Sequence, residues 1–129
     1  MEPDEVLSVA VGIVDDCSDP AFLVSMEGKV LAWNGAACAF FGIAAWQASA
    51  DNCATVVRGH AEDGEALCVA DCPIREQLRR GVAAQEMDVV ALTGARPSTP
   101  RRAHVHHLPV THPDAGPLGI LHLLSRTDS

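Results

Sequence analysis

The sequence lacks any excess of positive charge. It has 17 acidic and 9 basic residues, only one of the basic residues is a lysine (Lys29), and the formal net charge is −8 with histidine neutral. Proteins that bind nucleic acid unaided carry a basic surface, and anionic membranes attract basic segments. We therefore expect no direct contact with nucleic acid and no membrane-surface partner.

The chain also lacks long apolar runs and a basic N-terminus. No stretch is long enough to span a membrane, and residues 1–5 are acidic where a secretory signal peptide is basic. We expect a cytoplasmic protein whose thiols are free or metal-bound. Low-complexity tracts are missing too, and 48% of the residues are hydrophobic. The 129 residues thus form one domain with a single core.

Motifs of the common catalytic sites are absent as well. The sequence contains no glycine-rich phosphate loop, no Gly-x-Ser-x-Gly elbow and no His-Glu-x-x-His zinc motif. Cysteine and histidine are both present, yet no local signature of a thiol protease surrounds them. We expect a protein that is not an enzyme.

What the chain does have is a window of cysteines. Cys53, Cys68 and Cys72 have the spacing Cys-x14-Cys-x3-Cys, and His60 lies between the first two. Thiolates bind soft metals and undergo redox chemistry, and three thiolates with one imidazole would complete a tetrahedral zinc site. The spacing differs from the Cys-x2-Cys pair of zinc modules. Three interpretations stay open: a metal or cluster site, a redox thiol switch, or small half-buried apolar side chains.

A broad apolar stripe marks the first predicted helix, over residues 5–14. Its hydrophobic residues recur at i, i+3, i+4 and i+7 and leave a thin polar face. The helix therefore needs a packing partner, either the domain's own sheet or a second copy of the chain. Because two-fold dimers are the commonest oligomers, we expect a homodimer formed through this helix.

Strand signals occur in both halves of the chain. Glu27-Gly28 between two apolar runs predicts a hairpin turn in which glycine supplies a positive φ. The last apolar run is nearly continuous, which suits a central strand. The predicted strands cover residues 21–26 and 29–33, and further strand patterns follow over 86–92, 102–110 and 118–124.

Helix signals follow the first hairpin. Asn34 is a preferred N-cap residue and Gly42 a preferred stop, which together predict a helix over 35–41. One further helical turn over 44–48 is expected to point Trp46 inward.

A longer helix is predicted over residues 73–80. Pro73 suits its first position and Gly81 its stop, and Cys72 or the residue before it can cap it. The arginines of this helix are expected on its solvent side; they are Arg75, Arg79 and Arg80. Farther along, alternation places His104 and His106 on one strand face, where they would chelate a metal or bind one only adventitiously.

The first half of this pattern resembles the opening of a PAS domain. The residues that carry the resemblance are Asp19–Val24, Glu27–Asn34, Ala36-Ala37 and Phe41-Gly42. The rest follows the same pattern, so the resemblance covers residues 15–126 as the domain core, with 1–14 as a flanking helix. It implies a further short helix near residues 53–57 and three antiparallel strands near 85–93, 101–111 and 117–126. It implies an α+β fold: an antiparallel sheet of about five strands with short helices on one face.

The cysteine window is similar to a segment of some bacterial sensory PAS domains, which carry cysteines, glycines and a proline at matching places. The matching residues are Cys53, Gly59, Gly64, Cys68, Cys72 and Pro73. Some members have a histidine where Arg58 stands here, and His60 follows two residues later. The resemblance implies a signalling or transcription-regulating sensor of redox state, metal or a small ligand. Zinc or an iron–sulfur cluster would bind at the cysteines, and the output module would be fused or separate.

Two further interpretations belong to the same family. Asn52-Cys53 followed by Val57-Arg58-Gly59 resembles the flavin-binding segment of LOV photosensors, although Ala54, Thr55 and Arg58 depart from that motif. The later strands also lack the Asn pair and the Gln that hold the flavin ring in that branch. The other interpretation is a ligand-free PAS module that only dimerises or binds proteins.

Overall fold

The structure is a computed structural model that describes residues 1–49, 56–61, 63, 65–67, 73–81, 86–93 and 99–126. Its helices pack on one antiparallel sheet, which makes an α+β fold. The helices are α1 (Pro3–Asp16), α2 (Gly35–Phe41), α3 (Ala45–Ala48) and α4 (Pro73–Arg79). The strands are β1 (Ala21–Ser25), β2 (Val30–Trp33), β3 (Gly59–His60), β4 (Met87–Thr93), β5 (Thr99–His112) and β6 (Gly116–Arg126).

All the strands pair antiparallel in one sheet of order β2-β1-β6-β5-β4-β3. The last strand, β6, lies between β1 and β5, as its continuous apolar character predicts. The sheet has one strand more than the five predicted. The extra strand, β3, is only two residues long, and so short a segment leaves no periodic signal in a sequence.

The two faces of the sheet bury different helices. Side chains of alternate residues point to opposite faces of a strand, so Phe22 packs with α2 while its neighbours Ala21 and Leu23 pack with α1. α4 packs on the same side as α2, with Ile74 and Leu78 against the sheet. The predicted arrangement of short helices on one face is therefore confirmed, and α1 covers the other face of its own sheet.

Four of the five aromatic side chains form one cluster in the main core. Phe22 lies 5.2 Å from Trp33 and 5.9 Å from Phe41 between ring centroids, and Phe40 lies 4.9 Å from Phe41. The fifth, Trp46, is 80% exposed, so the prediction that it points inward is wrong. Trp33 already fills that part of the core and donates its indole N–H to the carbonyl of Ile43.

Asn34 joins α1, β1 and α2 through its buried side chain. Its carbonyl oxygen accepts hydrogen bonds from the backbone N–H groups of Ala21 at 3.2 Å and Ala37 at 2.8 Å. Its NH₂ group faces three backbone carbonyls in and after α1: Val14 at 3.1 Å, Cys17 at 3.2 Å and Asp19 at 2.9 Å. The capping role predicted for Asn34 is confirmed, and the same side chain also fixes the end of α1.

Arg75 departs from the predicted solvent-facing position. It is 8% exposed, and its guanidinium donates to the carbonyl of Met26 at 3.3 Å, beside an Arg79 bond to the same oxygen at 2.8 Å. A methyl group at Gly28 would meet the Arg75 guanidinium at 2.6 Å, so the glycine turn makes room for it. The prediction is wrong because the β1–β2 turn, distant in sequence, folds over α4.

None of the helices in the described part of the chain is long and apolar enough to cross a membrane. Of the short helix predicted near 53–57, only residues 56–57 are described, and these are helical.

Candidate functional site

Four ionisable side chains meet on the sheet face opposite α2 and α4. In the antiparallel register Asp88 of β4 pairs with His104 of β5, so both side chains lie on that face. His104 places Nδ1 2.8 Å from Asp88 Oδ1 and Nε2 3.2 Å from Glu86 Oε2. His106, on the same face, places Nδ1 2.8 Å from Glu86 Oε1. Glu86 therefore bridges the two imidazole rings.

These contacts change the acidity of the groups involved. Hydrogen bonding to Asp88, and then to Glu86, holds the pKa of His104 above its usual value. Hydrogen bonding with His104 is the main cause of a lowered pKa at Glu86. All four side chains keep contact with solvent: the exposed fraction is 31% for His104, 35% for His106 and larger for the two acids.

The arrangement brings metal-ligand atoms together. Glu86, His104 and His106 each offer one ligand atom within 4.8 Å of the others. The sequence predicts the histidine pair but not the acids. Their signal was the alternation Glu86-x-Asp88 one strand before His104-x-His106, and it becomes meaningful only once the register of β4 and β5 is known.

A second group of side chains lies on the sheet face that α2 and α4 cover. His122 of β6 stacks on Phe22 of β1 with ring centroids 4.4 Å apart and ring planes inclined by 11°. Its other ring neighbour is His107 of β5, edge-on at 4.9 Å. Burial is the main cause that lowers the pKa of His122 to about 3, and Nδ1 lies 3.2 Å from the carbonyl of Ile120. The ring is therefore neutral at ordinary pH, with Nδ1 as the donor.

The predicted cysteine site lies outside the described residues at Cys53, Cys68 and Cys72. Of its four candidate ligands only His60 is described. It is half-buried in β3, where it pairs with Val90 of β4 and bridges to Ala66. The shared thiol site thus stays a prediction, and its one described candidate, His60, is not a member of the histidine–carboxylate group.

Comparison with known proteins rests on structure alone. No protein-family model matches the sequence, and no curated protein matches it. Among solved structures, the chain is similar to the LOV protein of Rhodobacter sphaeroides, with a TM-score of 0.68 and 20% identity over 98% of this chain and 69% of that one.

Two other solved structures show the same likeness. One is the PAS domain of nitrogen regulation protein NR(II) from Vibrio parahaemolyticus, with a TM-score of 0.61 and 15% identity over 90% of this chain and 95% of that one. The other is a PAS domain from a two-component sensor histidine kinase, with a TM-score of 0.64 and 9% identity over 98% of this chain and 100% of that one. The chain therefore has the fold of a PAS domain, as the resemblance of its opening residues predicts.

Proposed function

We propose that this chain is a sensory domain of a signalling protein. The observation that carries the proposal is the PAS fold, which extends over almost the whole chain and is shared with PAS domains from a nitrogen regulation protein and a sensor histidine kinase. A shared fold is an argument by analogy. The identity of the stimulus has to come from the chain's own residues.

The cysteine window is the proposed entry point of the stimulus. Cys53, Cys68 and Cys72, with His60, would respond to oxidants or bind zinc or an iron–sulfur cluster. Support comes from the described residues next to them. Leu67, which precedes Cys68, donates its backbone N–H to the carbonyl of Gly59 at 2.9 Å. This hydrogen bond joins the segment before Cys68 to β3.

Packing contacts in the core connect the segments beside the cysteines to the sheet, and the sheet to α1. The cluster that contains the aromatic core also includes Val56, Val57 and Leu67. The segments beside the cysteines therefore contact the sheet face that α2 and α4 cover. On the opposite face, Ala10 and Val14 of α1 pack on β1 and β6. A displaced segment would shift the sheet and change the packing of α1 and β6, which an output module, fused or separate, would detect.

Replacing Cys53, Cys68 and Cys72 together by serine tests this function. We expect oxidant or zinc to change amide hydrogen exchange in α1 and β6 of the parent by about tenfold, because altered packing changes the free energy of local opening. A tenfold change corresponds to roughly 1.4 kcal/mol. The triple variant should show no such change. Exchange measured by mass spectrometry on folded protein gives the comparison.

Cys17→Ser with Cys38→Ser is the matched control, since both cysteines are half-buried, free and outside the window. This control variant should respond as the parent does. If the triple variant keeps the parent's response, the cysteines are not the sensor and the proposal is wrong.

Homodimerisation is the second candidate function, favoured by the outer face of α1. Val9 and Ile13 lie one helical turn apart and are 54% and 56% exposed, although α1 already buries its other side. Leu108, on the sheet face that carries α1, is 48% exposed. Exposed apolar side chains on the α1 side of the sheet suit burial against a second copy of the chain.

Adding charge to that face should separate dimer from monomer. Val9→Asp with Ile13→Asp is expected to give a monomer by light scattering, because two carboxylates would be buried without partners. Ser8→Asp, also exposed on α1, adds charge without removing an apolar contact and should leave a dimer intact. A parent that is monomeric at high concentration would contradict the prediction.

A further inference from the structure

Glu86, His104 and His106 form a compact ligand set on the sheet. The two histidines lie within β5, which pairs with both β4 and β6, and Glu86 directly precedes β4. The sheet therefore holds the backbone of the two histidines in place. We propose that the three side chains bind a divalent transition-metal ion of the Zn²⁺ type. These three ligands include no thiolate, and they are not the residues to which the sensory function is assigned above.

The spacing of the ligand atoms is close to what such an ion requires. Zinc binds nitrogen and carboxylate oxygen at about 2.0–2.2 Å, which puts tetrahedral ligand atoms about 3.4 Å apart. The two Glu86 oxygens lie 2.8 Å from His106 Nδ1 and 3.2 Å from His104 Nε2. All three ligand atoms lie within 4.8 Å of one another, so side-chain rotations that bring them together let an ion take the place of these two hydrogen bonds.

Asp88 has the position of an orienting carboxylate. Histidines that bind metal through one ring nitrogen commonly donate the other N–H to a carboxylate, which fixes the tautomer and the ring orientation. His104 directs Nε2 toward Glu86 while Nδ1 lies 2.8 Å from Asp88. The ring is thus held with Nε2 directed at the proposed ion, and Asp88 is a positioning residue.

The ligand chemistry selects the class of metal. Two imidazoles with one carboxylate suit zinc, nickel, cobalt or copper, whereas magnesium and calcium prefer an all-oxygen set. With neutral imidazoles, the charges of Glu86 and Asp88 balance those of a divalent ion. Because the side chains are partly exposed, a water molecule can complete the tetrahedron.

Zinc titration of the full chain tests the site. The chain carrying Cys53→Ser, Cys68→Ser and Cys72→Ser is stripped with chelator and titrated by calorimetry, so that the cysteine window does not contribute. We expect one zinc ion per chain. His106→Ala or Glu86→Gln should weaken binding at least tenfold, and Asp88→Asn by about tenfold with unchanged stoichiometry.

The control is His112→Ala, which replaces the histidine at the end of β5, away from the cluster. It should bind zinc as its parent does. If the cysteine variants do not fold, the same titration in the chain with its thiols should show a loss of one zinc equivalent on His104→Ala with His106→Ala. Zinc binding that is unchanged in these histidine variants overturns the proposal, as does a background chain that binds no zinc.

Discussion

Asn34→Ala is expected to lower the free energy of unfolding by about 4 kcal/mol, which is a large part of the stability of a domain of this size. The Asn34 side chain is buried and contacts five backbone groups in α1, β1, α2 and the turn between α1 and β1. Alanine would leave several of these groups buried without partners, and each costs about 1–3 kcal/mol. Urea denaturation followed by circular dichroism measures the loss.

Two further variants make this prediction specific. Ser25→Ala removes a side chain that accepts two backbone N–H bonds in the exposed β1–β2 turn, and should cost less than about 1 kcal/mol. Asn34→Asp keeps the accepting oxygen but places a charge beside three carbonyls, so it should not rescue stability. A loss for Asn34→Ala as small as that for Ser25→Ala would show that the contacts are not maintained in solution.

His122 should make the fold sensitive to acid. Its pKa is about 3 in the folded chain and near 6.5 when unfolded, because burial disfavours the charged ring. The unfolded chain therefore binds more protons as the pH falls below 6.5. The stability contribution is full above that pH and is lost progressively toward pH 3, by about 2 kcal/mol between roughly pH 7 and pH 5.

His122→Asn isolates this contribution, since asparagine cannot titrate and keeps an N–H donor near the carbonyl of Ile120. Its unfolding free energy should fall less between these pH values than that of the parent, by about 2 kcal/mol. His104 has a raised pKa and acts with the opposite sign, so only the difference between variant and parent is informative. His112→Asn is the control, and equal pH slopes for parent and His122→Asn would contradict the prediction.

Local signals account for the parts of the fold that the sequence predicts well. Gly28 and Gly42 have φ values of 88° and 69°, as the predicted hairpin turn and helix stop require. Asn34 caps a helix with the predicted bounds. The predicted exposure of Arg75 and the predicted burial of Trp46 are wrong because both depend on other segments. The β1–β2 turn covers Arg75, and the Trp33 side chain occupies the core near Trp46.

The candidate site was predictable in part for the same reason. Strand alternation is a local property and places His104 and His106 on one face. Recognising Glu86 and Asp88 as their partners requires the pairing register of two strands joined by a turn-rich loop, which alternation alone does not give. The contact of His122 with Phe22 is harder to predict from the sequence, because it joins β6 to β1, and these strands are far apart along the chain.

The central position of β6 has a consequence for how the protein is made. β1 pairs on one side with β2, its immediate successor, and on the other with a strand almost a full chain length away. During synthesis the edge of β1 that pairs with β6 stays unpaired until β6 has left the ribosome. Such distant pairing slows folding and leaves a strand edge open to aggregation. The nascent chain is therefore expected to need chaperone protection until β6 is inserted.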